Sequence, residues 1–389
     1  MENKCNILIA HNFYKNKGGE DTVFYNEIEM LKKMGYTVFE YTRNNNEIAN
    51  FSIFKKIFLP FSMIYSFKTK RDIKKVIIDN KIDIIHVHNT LNLISPSIYY
   101  IAKKMKVPIV QTIHNFRLLC PNGLFYRDNH ICEDCSQRGL NSAIKYKCYR
   151  NSKLQTVINV IMLKKCRHDK IYKNVNFIFL TEFNKEKFVN YNKKLNIFDE
   201  DKFFVKPNFV EKMEVTEKDK KDQYIFVGRL EKTKGIIELI NAWKNVKNSK
   251  LIICGTGPLE EKIRKIVTSS NMNIEVKGFC SKMELTDLMS ESKALIFSSL
   301  WYEGFPMTIL EAINLRLPII ANNIGNGASI VKQGYGILYN NDNELVTIIN
   351  DDLIKEFNMK ENIYSKENNM KILNNIYKKI LEEKYERKN

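Results

Sequence analysis

The stretch YIFVGRLEKTKGIIELI, residues 224–240, runs from a short β-branched and aromatic segment into a Gly-Arg loop and, past Lys234 and Gly235, into a helical pattern. A strand that ends in a glycine-bearing loop and resumes as a helix is the building unit of a parallel α/β sheet. The same order recurs on both sides. Downstream, strand candidates at 251–254, 274–276, 294–298 and 318–321 are each followed by a loop and a helical pattern. Upstream, candidates at 6–10, 36–41, 83–87, 108–112 and 176–180 alternate with amphipathic helices. The first of those helices carries Phe24, Ile28 and Leu31 on one face and stops at Gly35, a residue suited to closing a helix.

A chain of 389 residues is too long for one core, since single cores stop growing at roughly 250–300 residues. Lys206-Pro207-Asn208 and the charged run 211–222 read as an interruption. The expected organisation is therefore a Rossmann-like domain at 1–206, a linker at 207–222, a second Rossmann-like domain at 223–365, and a C-terminal helix at 366–389 that packs back on the first domain. No exact internal repeat is visible, so the halves share an architecture and not a sequence. Hydrophobic residues at 44% and charged residues at 27% are ordinary for a folded globular chain. The apolar stretch at 7–10 is too brief for a signal-peptide core, so the expected location is the cytoplasm. The formal charge of +18 calls for an anionic partner, with nucleic acid, acidic lipid and phosphorylated substrates as candidates. Much of the lysine lies in mixed Lys/Glu helices such as 355–384, which read as solvated faces. With no helix-turn-helix, RNP or zinc-finger signature, nucleic acid is not an expected partner.

In open α/β sheets ligands bind beyond the carboxyl ends of the strands, so the loops there are read first. Gly18-Gly19 precedes a helix, as does Gly228-Arg229 with Lys234-Gly235; Gly255-Thr256-Gly257-Pro258 closes one strand and 301–306 another. Glycines before a helix let backbone N–H groups approach a phosphate, and Arg229 with Lys234 would neutralise a diphosphate. The plainer readings are a tight turn for Gly18-Gly19 and solvated charges for the two cations. Glu303 and Glu311 place two carboxylates eight positions apart, one in a Gly/Pro loop and one in the following helix. Thr308 and Glu311 also spell a capping box, which would give Glu311 a merely structural role. Asp199-Glu200-Asp201 spells the D-x-D of metal-dependent transferases but sits in a charged turn before the linker, where it reads as solvated.

The Glu-x7-Glu of Glu303 to Glu311, the Gly-Arg-Leu-x3-Lys-Gly of Gly228 to Gly235, the Gly255-x-Gly257-Pro258 turn and the Gly18-Gly19 loop together resemble the GT-B retaining glycosyltransferases of family 4, in order and across nearly the whole chain. The resemblance implies two facing Rossmann-like domains with a deep cleft between them and a nucleoside diphosphate sugar as donor. It implies that Arg229 and Lys234 hold the diphosphate and that Glu311 binds the ribose hydroxyls. Glu303 would contact the transferred sugar, helped by the backbone of Gly304, Phe305 and Pro306, and Gly18, Gly19, Gly228 and Gly255 would line the donor site. His114, in the loop after a strand, matches the family histidine that touches the sugar from the other domain; alone it would read as a packed or surface residue. Catalysis would need no metal, basic side chains and helix dipoles standing in at the leaving group. A glycan or lipid-linked acceptor in envelope or capsular polysaccharide synthesis is the expected setting. Sugar-nucleotide epimerases and sugar phosphorylases share the fold and are the alternative, with a metal-binding or nucleic-acid-binding scaffold behind them.

Two features stand outside this pattern. Cys120, Cys132, Cys135 and Cys148 fall in a loop-rich insertion, 120–148, with Cys-x11-Cys-x2-Cys-x12-Cys spacing. Four thiolates so spaced are expected to hold a structural zinc ion, against the plainer reading of reduced thiols. The segment 51–75 mixes Phe51, Ile53, Phe54, Ile57, Phe58, Leu59, Phe61, Met63, Ile64 and Tyr65 with Lys55, Lys56, Lys68, Lys70, Arg71, Lys74 and Lys75, and Pro60 with the internal lysines rules out a transmembrane span. Either it lies peripherally on the inner face of an anionic membrane or it is a core helix with a basic solvent face.

Overall fold

The computed structural model describes residues 5–15, 18–211 and 218–386; part of the expected linker, 212–217, lies outside the described residues. The chain divides into two compact units: Met1–Gly123 with Glu133–Asn208 and Lys366–Asn389, and Leu124–Cys132 with Phe209–Ser365.

In the first unit, β1 (Asn6–Phe13), β2 (Thr37–Asn44), β3 (Ile84–Asn89) and β4 (Ile109–Ile113) join two later strands in one sheet. The strands β5 (Tyr126–Arg127) and β6 (His130–Ile131) form a small antiparallel hairpin that belongs to the second unit. β7 (Val175–Phe179) and β8 (Phe203–Val205) complete the first sheet, which is parallel throughout in the order β2-β1-β3-β4-β7-β8. Ile7 to Ala10 and Ile84 to Val87 are buried, as strands covered on both faces must be, which is why they read as apolar runs broken only by His86. Phe24 and Leu31 of the helix Gly19–Lys33 lie wholly inside, as their spacing requires. The C-terminal helix Lys366–Glu386 belongs to this unit: Tyr36 Oη donates to Asn374 Oδ1 over 2.7 Å, and Tyr377 is fully buried against β3.

The second unit holds β9 (Gln223–Val227), β10 (Lys250–Cys254), β11 (Ile274–Gly278), β12 (Ala294–Phe297), β13 (Ile319–Asn322) and β14 (Gly336–Tyr339), parallel in the order β11-β10-β9-β12-β13-β14. Its core gathers Tyr224, Leu239, Trp243, Leu251, Ile263 and Ile296, and each fully buried aliphatic side chain contributes about 1.5–3 kcal/mol. The two sheets are not the same: strand order reverses between β1 and β3 in the first and between β9 and β12 in the second. Crevices at the carboxyl ends of such neighbours are where these sheets bind ligands.

Two details differ from the sequence reading. The insertion 120–148, assigned whole to the first domain, is split, because the hairpin at 124–132 clusters with the second unit. Within that unit the Phe125 ring meets Tyr302 edge-on at 6.3 Å. The helix Ile53–Ile64 is also not a core helix with a solvated basic face: Ile53, Phe54, Ile57, Phe58 and Phe61 are exposed, while Met63 is buried and Ile64 packs on an inner cluster.

Candidate active site

In the second unit the predicted residues converge on the ends of β9, β10 and β12. Glu303 is buried and fixed: Lys234 Nζ donates to its Oε1 over 2.6 Å and Ser299 Oγ donates to the same oxygen over 2.6 Å. The Lys234 ammonium also lies 5.8 Å from the centre of the Trp301 ring. Asn326, wholly buried, donates its Nδ2 to the carbonyls of Glu303 and Gly304, the latter over 2.9 Å, and so clamps the loop that carries them. Phe305 is buried with its ring against Tyr364, leaving the backbone of Gly304 to Pro306 as what that loop can offer a ligand.

Glu311 contrasts with Glu303. Its carboxylate has no hydrogen-bond or ion-pair partner among the described residues, and burial pushes it above the usual carboxylate range against a weaker pull from Lys282. The capping box does not form: the helix is Met307–Asn314, its cap is Pro306, and Thr308 already lies inside it. Glu311 is left as a half-buried acceptor with nothing to accept.

Arg229 is more than half exposed and pairs with Glu231, Nε to Oε2, at 3.2 Å. It lines a cavity of about 510 Å³ with Gly228, Gly255, Thr256, Phe279 and Cys280. The glycine amides there are already engaged: Gly228 N–H donates to Cys254 O over 3.0 Å and Gly255 N–H to Gly278 O over 2.7 Å. What demands glycine is close packing. A Cβ on Gly255 would stand 1.9 Å from Gly228 O, and one on Gly235, at φ +66°, 2.0 Å from Ser298 O. These contacts lock the Arg229 and Lys234 loop against the strands beside it.

In the first unit, Gly18 is the extended N-cap of the helix Gly19–Lys33, and its N–H donates to Asp21 Oδ2 over 3.1 Å. Asp21 Oδ1 lies 2.8 Å from His11 Nε2, at the end of β1. His114 follows β4, and its Nε2 lies 2.9 Å from Nδ1 of His88 on β3. Burial, then the neighbouring His88 and His11, hold His114 well below the usual histidine range, so it is neutral near pH 7. Beside this row Glu20 is pushed up to about 8 by burial, opposed by the Arg117 guanidinium, which lies between the Tyr14 and Tyr149 rings. His11, Glu20, Glu27, His86, His88 and Arg117 were not among the predicted residues. Histidines at alternate positions of an otherwise β-branched strand, His86 and His88, were the available signal, because one buried face of a strand carries every second residue.

The D-x-D turn is occupied by internal contacts, Asp199 with Lys202 at 2.5 Å and Glu200 with Asn192 at 2.7 Å. Of the four cysteines in 120–148, Cys120 and Cys135 are buried; Cys135 and Cys148 share an apolar cluster with Leu140 and Leu163. Tyr191 Oη donates to the carbonyls of Leu119 and Cys135, tying the stretches that carry Cys120 and Cys135 together.

The family profile for glycosyl transferases group 1 matches residues 208–370, and that for glycosyltransferase family 4 matches 17–146. The chain therefore carries a glycosyl transferases group 1 domain at 208–370 and a glycosyltransferase family 4 segment at 17–146. The amylovoran biosynthesis glycosyltransferase AmsD of Erwinia amylovora is 30% identical over 147 residues, 37% of this chain and 41% of that protein. Against four of the curated relatives it matches, the matched stretch spans 28%, 63%, 41% and 26% of their lengths. The apo form of the lipopolysaccharide outer core galactosyltransferase WaaB superposes with a TM-score of 0.66 at 16% identity, over 96% of this chain and 99% of that one. Anabaena Alr3699/HepE in complex with UDP and glucose does so with a TM-score of 0.56 at 15% identity, over 98% and 99%. These likenesses show the fold, two parallel-sheet α/β domains of the GT-B type.

Proposed function

We propose that the protein is a retaining glycosyltransferase of the hexosyltransferase class, moving a sugar from a nucleoside diphosphate donor to a glycan or lipid-linked acceptor in envelope or capsular polysaccharide synthesis. The observation that carries this reading is the pair of carboxylates flanking the β12 loop. Glu303 is aimed and charge-paired, as a group touching the reacting sugar must be, while Glu311 is desolvated and unpartnered, as a group awaiting ribose hydroxyls must be. The UDP and glucose named with HepE and the polysaccharide named with AmsD support the donor and acceptor classes. Arg229 pairs with Glu231 only at the surface, a contact worth little, so an incoming diphosphate displaces it readily. Retention is accounted for by attack on the face the leaving group departs from, the phosphate taking the acceptor proton while Arg229 and Lys234 stabilise its growing charge. The reading needs no catalytic metal, and no observation favours the epimerase, phosphorylase or scaffold alternatives. Thermal shift against nucleoside diphosphates and nucleotide sugars, then NMR of the product anomer, tests it. No shift and no donor hydrolysis with any nucleotide sugar sinks the function; an inverted product sinks the mechanism.

The zinc reading belongs to the same proposal. Tyr191 and the shared apolar cluster bring the stretches that carry Cys120, Cys135 and Cys148 together within the first unit, and Cys132, three positions before Cys135 in sequence, ends the stretch that clusters with the second. Four such thiolates would close a tetrahedral structural site and add binding energy to folding. Purified protein is expected to carry one equivalent of zinc and to lose thermal stability on chelation. A clear deficit of zinc with unchanged melting overturns it.

The partner surface follows from the helix Ile53–Ile64, where Ile53, Phe54, Ile57, Phe58 and Phe61 are between 60% and 76% exposed and Phe67 beyond it is 76% exposed. Lys55, Lys56, Lys68, Arg71, Lys74 and Lys75 are exposed around them. An apolar patch rimmed by cations matches the interface of an anionic bilayer, each basic residue near such lipid adding about 1 kcal/mol. Among the described residues no helix is long and apolar enough to cross a membrane. Co-sedimentation with anionic but not zwitterionic vesicles is expected, falling at least tenfold on Phe54→Ser with Phe58→Ser and Phe61→Ser. Binding unchanged in that variant, or a concentration-dependent dimer that buries the patch without lipid, overturns the membrane role.

A further inference from the structure

In the first unit a line of three side chains runs from a buried carboxylate to the histidine of the proposed sugar site. Glu27 Oε1 lies 3.5 Å from His88 Nε2. His88 Nδ1 lies 2.9 Å from His114 Nε2, the two rings stacked at 5.1 Å and 22°. Glu27 is 1% and His88 3% exposed, so no bulk water competes for these atoms.

The chemistry of the three groups leaves one arrangement of protons. Burial alone would raise the Glu27 carboxyl, but Lys206, with Nζ 2.8 Å from Oε2, and His86 outweigh it and hold Glu27 well below the usual range. Glu27 is ionised and can only accept. His88 Nε2, 3.5 Å from Glu27 Oε1, makes no hydrogen bond of ordinary geometry, and His86 Nδ1 stands nearer that oxygen at 2.9 Å; a lone pair on Nε2 would face the negative carboxylate, so that nitrogen carries the proton. Burial takes His88 down to about 4, so near pH 7 it is neutral, with one N–H and one lone pair. The lone pair is then on Nδ1, and the bond to His114 runs from His114 Nε2–H to His88 Nδ1. His114 is neutral as well, which leaves its Nδ1 unprotonated and, among the described residues, without a partner.

We infer that Glu27 and His88 are positioning residues that fix the tautomer of His114, so that it presents a bare Nδ1 as a hydrogen-bond acceptor to a hydroxyl of the transferred sugar. The inference rests on the proposed function for the presence of a sugar at His114; the proton arrangement itself does not. It also sets a preference, since an acceptor that cannot be reprotonated near neutrality rewards a donor hydroxyl and gains nothing from fluorine or hydrogen in its place.

Long-range ¹H–¹⁵N spectra of the full-length protein, with histidine ¹⁵N-labelled, read the tautomer directly. Wild type is expected to show His114 protonated on Nε2 and bare on Nδ1 from pH 6 to 8. His88→Phe keeps the ring and its packing but removes the acceptor, and should give His114 in mixed tautomers. The double change Glu27→Gln with Lys206→Met removes both buried charges at similar volume and should loosen the preference in a protein whose fold is checked by circular dichroism. Donor hydrolysis should fall about 10- to 100-fold in His88→Phe, the range typical of residues that act by orienting another, and His88→Phe should change nothing further in a His114→Ala background. A wild-type His114 protonated on Nδ1 overturns the inference, as do effects of His88→Phe and His114→Ala that multiply. Failure of every nucleotide sugar to turn over would count against the proposed function and leave the spectra to decide the tautomer.

Discussion

Glu303→Ala is expected to lower kcat for donor turnover about 100-fold while changing donor KM little, and Glu311→Ala to do the reverse, raising donor KM about tenfold. The first loses a carboxylate held in place by Lys234 and Ser299, a pre-set arrangement of the kind that acts on the transition state. The second loses an acceptor with no partner among the described residues, so its contribution appears when the ligand binds, at about 1.5 kcal/mol, the lower end for a hydrogen bond to a charged group. No helix-cap penalty is added, because Pro306 and not Thr308 caps that helix. Lys234→Ala should lower kcat and raise KM together, since the ammonium pairs with Glu303 and, in the proposed function, also holds the diphosphate. It should also be strongly non-additive with Glu303→Ala, the 2.6 Å pair being lost in either single variant. Steady-state kinetics of wild type, the three single variants and the Lys234→Ala/Glu303→Ala double variant check this. Equal KM effects at the two glutamates, or additivity at Lys234 and Glu303, would remove the distinction between them.

What was legible in the sequence was whatever local pattern encodes. The core strands were readable as β-branched runs, and the helix after β1 by the spacing of Phe24, Ile28 and Leu31. β8 and β14 were not. Phe203 to Val205 is three residues long and runs into Lys206-Pro207, and β14 opens on glycine, which strands disfavour. The residues that meet at the ends of β9, β10 and β12 were legible as a group because loop, cation and carboxylate fall close together in sequence after strands of one sheet. Glu27, His88 and Lys206 were not, since their meaning is the meeting of positions 27, 88 and 206, and no spacing rule brings those together. Lys206 read as the last residue before the linker, yet it is 1% exposed. The glycines were legible as special while their reason was not: Gly228 and Gly255 spend their amides on neighbouring strand ends, and the requirement for glycine comes from backbone-to-backbone contact. The helix Ile53–Ile64 was ambiguous for a simpler reason. Composition shows that a helix is apolar and basic, and only tertiary packing shows which side faces out.

Lys206→Ala should destabilise the first unit by about 3–5 kcal/mol near pH 8, the cost of leaving one member of a buried pair without its partner. Lys206 Nζ reaches Glu27 Oε2 at 2.8 Å and Asn369 Oδ1 at 3.3 Å, so the end of β8, the first helix and the C-terminal helix meet at this ammonium. The pH dependence separates this account from simple loss of packing. Glu27 in the wild type sits below its unfolded value, so the stability it contributes is present above about pH 4.3 and is lost as pH falls through the folded value. His88, taken down to about 4, and His114 stay neutral where the unfolded chain takes up protons, so the wild type loses stability as pH falls below about 6.5. Without Lys206 the largest remaining influence on Glu27 is desolvation, which raises a carboxyl. A raised carboxyl binds its proton more tightly folded than unfolded, so its contribution grows as pH falls and the variant's deficit narrows. Both tryptophans, Trp243 and Trp301, lie in the second unit, so their fluorescence reports on the wrong half of the chain. Hydrogen exchange at the amides of β1 and β3, measured from pH 5 to 8, reports on the right one. A deficit between wild type and Lys206→Ala that shrinks toward pH 5 identifies an uncompensated buried carboxylate, whereas a constant deficit would mean that Lys206 contributes by filling space and not by its charge.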